Sequence, residues 1–74
     1  MEKSEIIVKR LRLEKKDIAY VKFIIEGYEG IALVTTINND EAVIELTIAP
    51  DFESDVEGLL AALKEEINFQ EIKE

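Results

Sequence analysis

Two aliphatic runs, 31–37 and 42–49, flank the polar tetrad Asn38-Asn39-Asp40-Glu41, and no other feature of the chain constrains its fold as much. Alternating β-branched residues on both sides of a cluster of turn formers specify a β-hairpin. Pairing Ile37 with Ala42 sets Thr35 against Ile44, Leu33 against Leu46 and Ile31 against Ile48. One face is then almost wholly aliphatic, and the other presents Ala32, Val34, Thr36, Val43, Glu45 and Thr47. Side chains alternate along a strand, so a slip of one residue would exchange the two faces.

The flanking segments change period. In residues 15–28, Ile18, Val21, Ile25 and Tyr28 follow helical spacing, and Ala19, Tyr20, Phe23 and Ile24 widen the apolar surface. Asp17 can cap this helix or lie in its first turn, and Gly27 or Gly30 can end it with a left-handed residue. Pro50 stops the strand, Asp51 or Ser54 starts a second helix, and Ser54 with Glu57 fits a capping box. Phe52, Val56, Leu59, Leu60, Leu63 and Ile67 then form the buried stripe of that helix. Gly58 inside it suggests close approach by a neighbour. Residues 5–13 read as a first strand and residues 68–74 as a short last one using Phe69 and Ile72. Strict alternation in the first strand would put Lys9 beneath the helices with Leu11 and Leu13. A β-bulge near Lys9-Arg10 avoids this by turning Ile6, Val8, Leu11 and Leu13 inward.

The order strand, helix, strand, strand, helix, strand predicts an α+β fold, a ferredoxin-like βαββαβ sandwich. Right-handed crossovers give a four-stranded antiparallel sheet in the order 4-1-3-2, with both helices on one face. The 74 residues make a single domain, 1–74. Such a chain buries only about 60% of its unfolded surface, which leaves a thin margin of stability. Disulfides, metals or a partner subunit are the usual reinforcements. The chain has no cysteine and no histidine, so a partner subunit is the natural one to expect.

Charge is divided unevenly. Residues 1–22 hold seven basic and four acidic side chains, whereas residues 23–74 hold two basic and thirteen acidic, for a net charge of −8. Nucleic acid and anionic membranes repel such a surface. The chain has no run near the ~20 apolar residues that span a bilayer. Residues 1–9 also lack a signal peptide's apolar core. A cytoplasmic location is expected.

Several residue runs carry a resemblance. The stretch Asp17-Ile18-Ala19-Tyr20-Val21-Lys22-Phe23-Ile24-Ile25-Glu26-Gly27-Tyr28-Glu29-Gly30 resembles a group of short bacterial proteins catalogued only as a domain of unknown function. Pro50-Asp51-Phe52 opening an acidic helix, and Leu63-Lys64-Glu65-Glu66-Ile67 closing it, are similar to that group too. The likeness runs from about Lys9 to Ile67 and implies no catalytic or binding residues. More broadly, the order of elements resembles the ACT domains, ferredoxin-like modules that pair and bind amino acids. Their ligand turn carries a glycine or proline, whereas Glu14-Lys15-Lys16-Asp17 stands in that place here.

Motif by motif, catalysis finds little support. Ser4 and Ser54 have no histidine to activate them, and Ser54 fits a helix cap. Acylphosphatases share this topology but hold phosphate on a glycine-rich loop, and the loop after the first strand lacks glycine. The acidic groups Asp51, Glu53 and Asp55, Glu65 and Glu66, and Asp40 and Glu41 read as helix starts and turns. Their spacing matches no calcium loop. RNA-binding sheets stack bases on aromatics of the first and third strands. Tyr20, Phe23, Tyr28, Phe52 and Phe69 all lie elsewhere.

The expectation is therefore a non-enzymatic regulatory or protein-interaction module acting as a homodimer, with no cofactor, catalytic residue or metal site. Its interface is expected on the open sheet face, at Arg10, Arg12, Val34, Thr36, Val43, Glu45 and Thr47. The alternative is an ACT-like sensor that binds an anionic metabolite, such as an amino acid, near Arg10, Arg12 and Lys16.

Overall fold

A computed structural model describes residues 6–27 and 31–72. Strand β1 (Ile7–Leu13) leads through a 3-10 turn at Lys15–Asp17 into helix α1 (Ile18–Glu26). Strands β2 (Ala32–Asn38) and β3 (Val43–Ile48) follow, then a 3-10 turn at Pro50–Phe52, helix α2 (Glu53–Leu63) and strand β4 (Phe69–Ile72). The four strands form one antiparallel sheet in the order β2-β3-β1-β4, which reads β4-β1-β3-β2 from the other edge. Val21 and Ile25 of α1 join Val56, Leu60 and Leu63 of α2 in one buried cluster with Leu11, Leu13, Ile44, Leu46, Ile48 and Phe69. Both helices thus cover the same face of the sheet, and no described helix covers the other, open face.

The first strand departs from expectation. Its register against β3 runs without a break from Ile7 opposite Ile48 to Arg12 opposite Val43, so there is no bulge at Lys9-Arg10. Ile6 and Val8 are more than half exposed, and Lys9 lies on the helix-covered side, opposite Leu46. The lysine is accommodated by its length. Its stem lies over apolar surface while its Nζ reaches Glu71 Oε2 at 3.3 Å and Glu57 Oε2 at 3.8 Å.

The hairpin forms, but β2 faces the other way from expectation. Asn38 pairs with Val43, and a bulge at Ile37 then sets Thr36 opposite Ile44, Val34 opposite Leu46 and Ala32 opposite Ile48. An extra residue on one strand inverts every side chain beyond it. Leu33 is consequently 64% exposed and Ile37 49%, while Ala32 and Val34 are buried. On β3 the expectation holds, with Ile44, Leu46 and Ile48 fully enclosed. In the turn, the Asn38 Oδ1 accepts the Glu41 N–H at 3.0 Å, and Ala42 takes a left-handed φ of 56°.

The helices differ at their ends. Phe52, not Ser54, precedes α2, and no side chain caps it; Glu53 and Asp55 supply negative charge to its first turn instead. Among the described residues, a Cβ on Gly58 would meet no atom within 4 Å beyond its own helix backbone, so no described neighbour approaches that glycine. Gly27 ends α1 at a φ of −74°, which is not left-handed. Its lack of a side chain matters through space: a Cβ there would meet the Phe23 carbonyl oxygen at 2.7 Å. Tyr28 and Gly30, placed by the sequence at this helix end, lie outside the described residues.

Candidate functional site

The open face is built by alternation on each strand. Val8, Thr47 and Leu33 form one row across β1, β3 and β2. Ile72, Arg10, Glu45 and Thr35 form the next, across the whole sheet. Gln70, Arg12 and Val43 form the third. The surface is thus apolar at one end and polar at the other, and its centre is charged.

That centre is an ion pair. Arg10 Nε donates to Glu45 Oε2 at 3.1 Å, with both side chains only partly exposed. Arg12 meets Glu41 Oε1 at 3.5 Å on a more open part of the surface. Among the described residues, two guanidinium groups meet two carboxylates here, on a chain of net charge −8. An open hollow of about 320 Å³ lies beside Arg12, between Leu13, Asn68, Phe69 and Gln70.

Of the residues expected here, Arg10, Arg12, Val43, Glu45 and Thr47 do lie on the open face. Val34 and Thr36 do not. The bulge at Ile37 turns both toward the helices, where Val34 is 7% exposed. Lys16 is off the sheet, in the turn before α1, where its Nζ lies 3.6 Å from Glu14 and 3.7 Å from Asp17. Sequence reasoning missed Val8 and Leu33, because the assumed bulge and register turned both inward.

It also missed Glu26. A carboxylate in the last turn of a helix opposes the helix dipole. Glu26 occupies that position and accepts the Val34 N–H at Oε2, 3.2 Å away, across the outer edge of β2. Its place at the wrong end of a helix was the available signal.

On the helix side, Tyr20 of α1 donates its hydroxyl to Glu66 Oε1 at 2.6 Å, just beyond α2. This hydrogen bond, reinforced by partial burial and the nearby carboxylate charge, raises the phenol above its ordinary pKa of 10.0. The neutral phenol is favoured by folding, so the contribution is complete below the unfolded value and fades as pH rises through the higher folded one. Phe23 on the same helix is 74% exposed.

Among the described residues, no three histidine, cysteine or carboxylate side chains gather where they could hold a metal ion. No described helix is long and apolar enough to cross a membrane. The chain belongs to the family described as Domain of unknown function (DUF4911), whose model matches residues 11–67. This bears out the resemblance carried by the helix and turn motifs. No curated protein and no solved structure matches the chain.

Proposed function

We propose that this chain is a ferredoxin-like, non-enzymatic interaction module that works as a homodimer through the open face of its sheet. The observation that carries the reading is the contrast in charge between that face and the rest of the surface. Two copies of a −8 chain repel wherever carboxylates face each other. On the open face, Arg10 and Arg12 are matched by Glu45 and Glu41. A two-fold contact there sets the Arg10–Glu45 pair of one copy against the same pair of the other, in opposite sense. Val8 and Leu33 supply the apolar contact, and their exposure is otherwise an unrecovered cost for a small domain.

Light scattering at micromolar concentration tests this. The expected mass is twice 8.4 kDa, falling to 8.4 kDa in Leu33→Arg and Val8→Asp. A natural-sequence chain that stays at 8.4 kDa rejects the dimer.

The hollow beside Arg12 favours a second reading, an ACT-like sensor for a small anionic metabolite such as an amino acid. A guanidinium at the rim of a concave surface is suited to a carboxylate. Thermal shift across amino acids and nucleotides separates the two readings. Stabilisation by a ligand that disappears in Arg12→Ala supports the sensor, and a screen without stabilisation rejects it.

A further inference from the structure

The outer edge of β2 is unusual for a sheet that ends in water. Edge strands are normally blunted by charge, proline, brevity or a bulge. The bulge of β2 comes only at its far end, at Ile37, which leaves residues 32–36 in regular register. Strand β2 runs for seven residues, Ala32 to Asn38, without a charge or a proline. Among the described residues, the group that meets this edge is the Glu26 carboxylate, on the Val34 N–H.

In an antiparallel strand, the N–H and C=O groups of alternate residues point to the same side. Because the Val34 N–H points away from β3, the outward-pointing residues are Ala32, Val34 and Thr36. They form a row of docking positions for one more strand. Glu26 fills the middle position with a flexible side chain whose other rotamers would vacate it. A strand added here would place the residue opposite Val34 on the helix-covered side of the sheet, since cross-strand partners share a face. That residue lies next to the released Glu26 carboxylate.

We infer that the β2 edge accepts an extended segment of a partner protein by strand addition, and that Glu26 selects for a lysine or arginine opposite Val34. The incoming carbonyl takes over the Val34 N–H, and the freed carboxylate pairs with the basic side chain. A second copy of this chain is a poor occupant. Two-fold pairing of β2 strands about Val34 would bring two Glu26 carboxylates to the same short stretch, while β2 itself offers no cation. The edge is separate from the open face, so this inference does not depend on dimerisation there.

The test uses the full chain and two capped heptapeptides, Thr-Val-Thr-Lys-Thr-Val-Thr and the same sequence with Glu at its centre. Amide chemical shifts and hydrogen exchange are followed by NMR. The lysine peptide is expected to perturb residues 32–36 and slow exchange at Val34, with the glutamate peptide about tenfold weaker. Glu26→Gln is expected to keep the fold and erase the preference. Equal binding of both peptides, or shifts confined to Val8 and Thr47, would overturn the inference. So would Val34 protection that rises with protein concentration when no peptide is present.

Discussion

Lys9 shows how a single side chain can satisfy two opposing demands. Strand alternation places it on the covered side, yet its ammonium lies between Glu71 at 3.3 Å and Glu57 at 3.8 Å, with the side chain only 15% exposed. Removing the charge and keeping the length should cost little, because both carboxylates are exposed enough to regain water. Lys9→Met is therefore expected to fall within about 1 kcal/mol of the natural chain. Lys9→Glu would gather three carboxylates and should cost about 2 kcal/mol or more. Urea unfolding measures both; equal losses would mean that the ion pairs, rather than the buried stem, hold this corner. The sequence exposed the problem at Lys9 through simple alternation. Its solution was hidden, because Glu71 is 62 residues away along the chain. A bulge was the local remedy, and the protein uses a long-range one.

At the scale of elements, the two glycines next to or within helices make opposite predictions. Gly58 lies inside α2 with open space where a Cβ would stand. Gly58→Ala should raise stability by about 0.5–1 kcal/mol, through helix propensity and a less flexible unfolded chain. In a domain of this size that is a rise of roughly 2–8 °C in Tm. Gly27→Ala should lower Tm, because the new methyl would press on the Phe23 carbonyl oxygen at 2.7 Å. A fall in Tm for Gly58→Ala would mean that a partner covers that side of α2. The elements themselves were legible: helical spacing marked both helices, and a polar tetrad marked the hairpin. The facing of β2 was not. Residues 31–37 offer aliphatic side chains in both phases, and the larger set, Ile31, Leu33 and Ile37, suggested the wrong one. One unpaired residue at Ile37 reverses the choice, placing Ala32 and Val34 inward. Turned this way, Ala32 and Val34 join Val21 and Ile25 of α1 in the buried cluster, a long-range fit that local periodicity does not encode.

At the scale of the whole molecule, net charge decides how copies meet. With −8 on each chain, approach is opposed wherever acidic surfaces meet, and is not opposed where charges are locally matched or opposite. A face whose Arg10 and Arg12 are already balanced by Glu45 and Glu41 gains little from long-range attraction. Salt then acts mainly on the repulsion between the acidic remainders. Screening lengths shrink from about 30 Å at ~0.01 M to about 8 Å at ~0.15 M, shorter than the span of the domain. Dimer affinity through the open face should therefore rise as salt is added over that range. An alternative contact, in which Lys15 and Lys16 of one copy meet the acidic α2 of another, has the opposite sign, because salt would screen an attraction. Sedimentation equilibrium across ionic strength distinguishes them by slope alone. A dissociation constant that climbs with salt would move the interface off the sheet and onto the basic turn before α1.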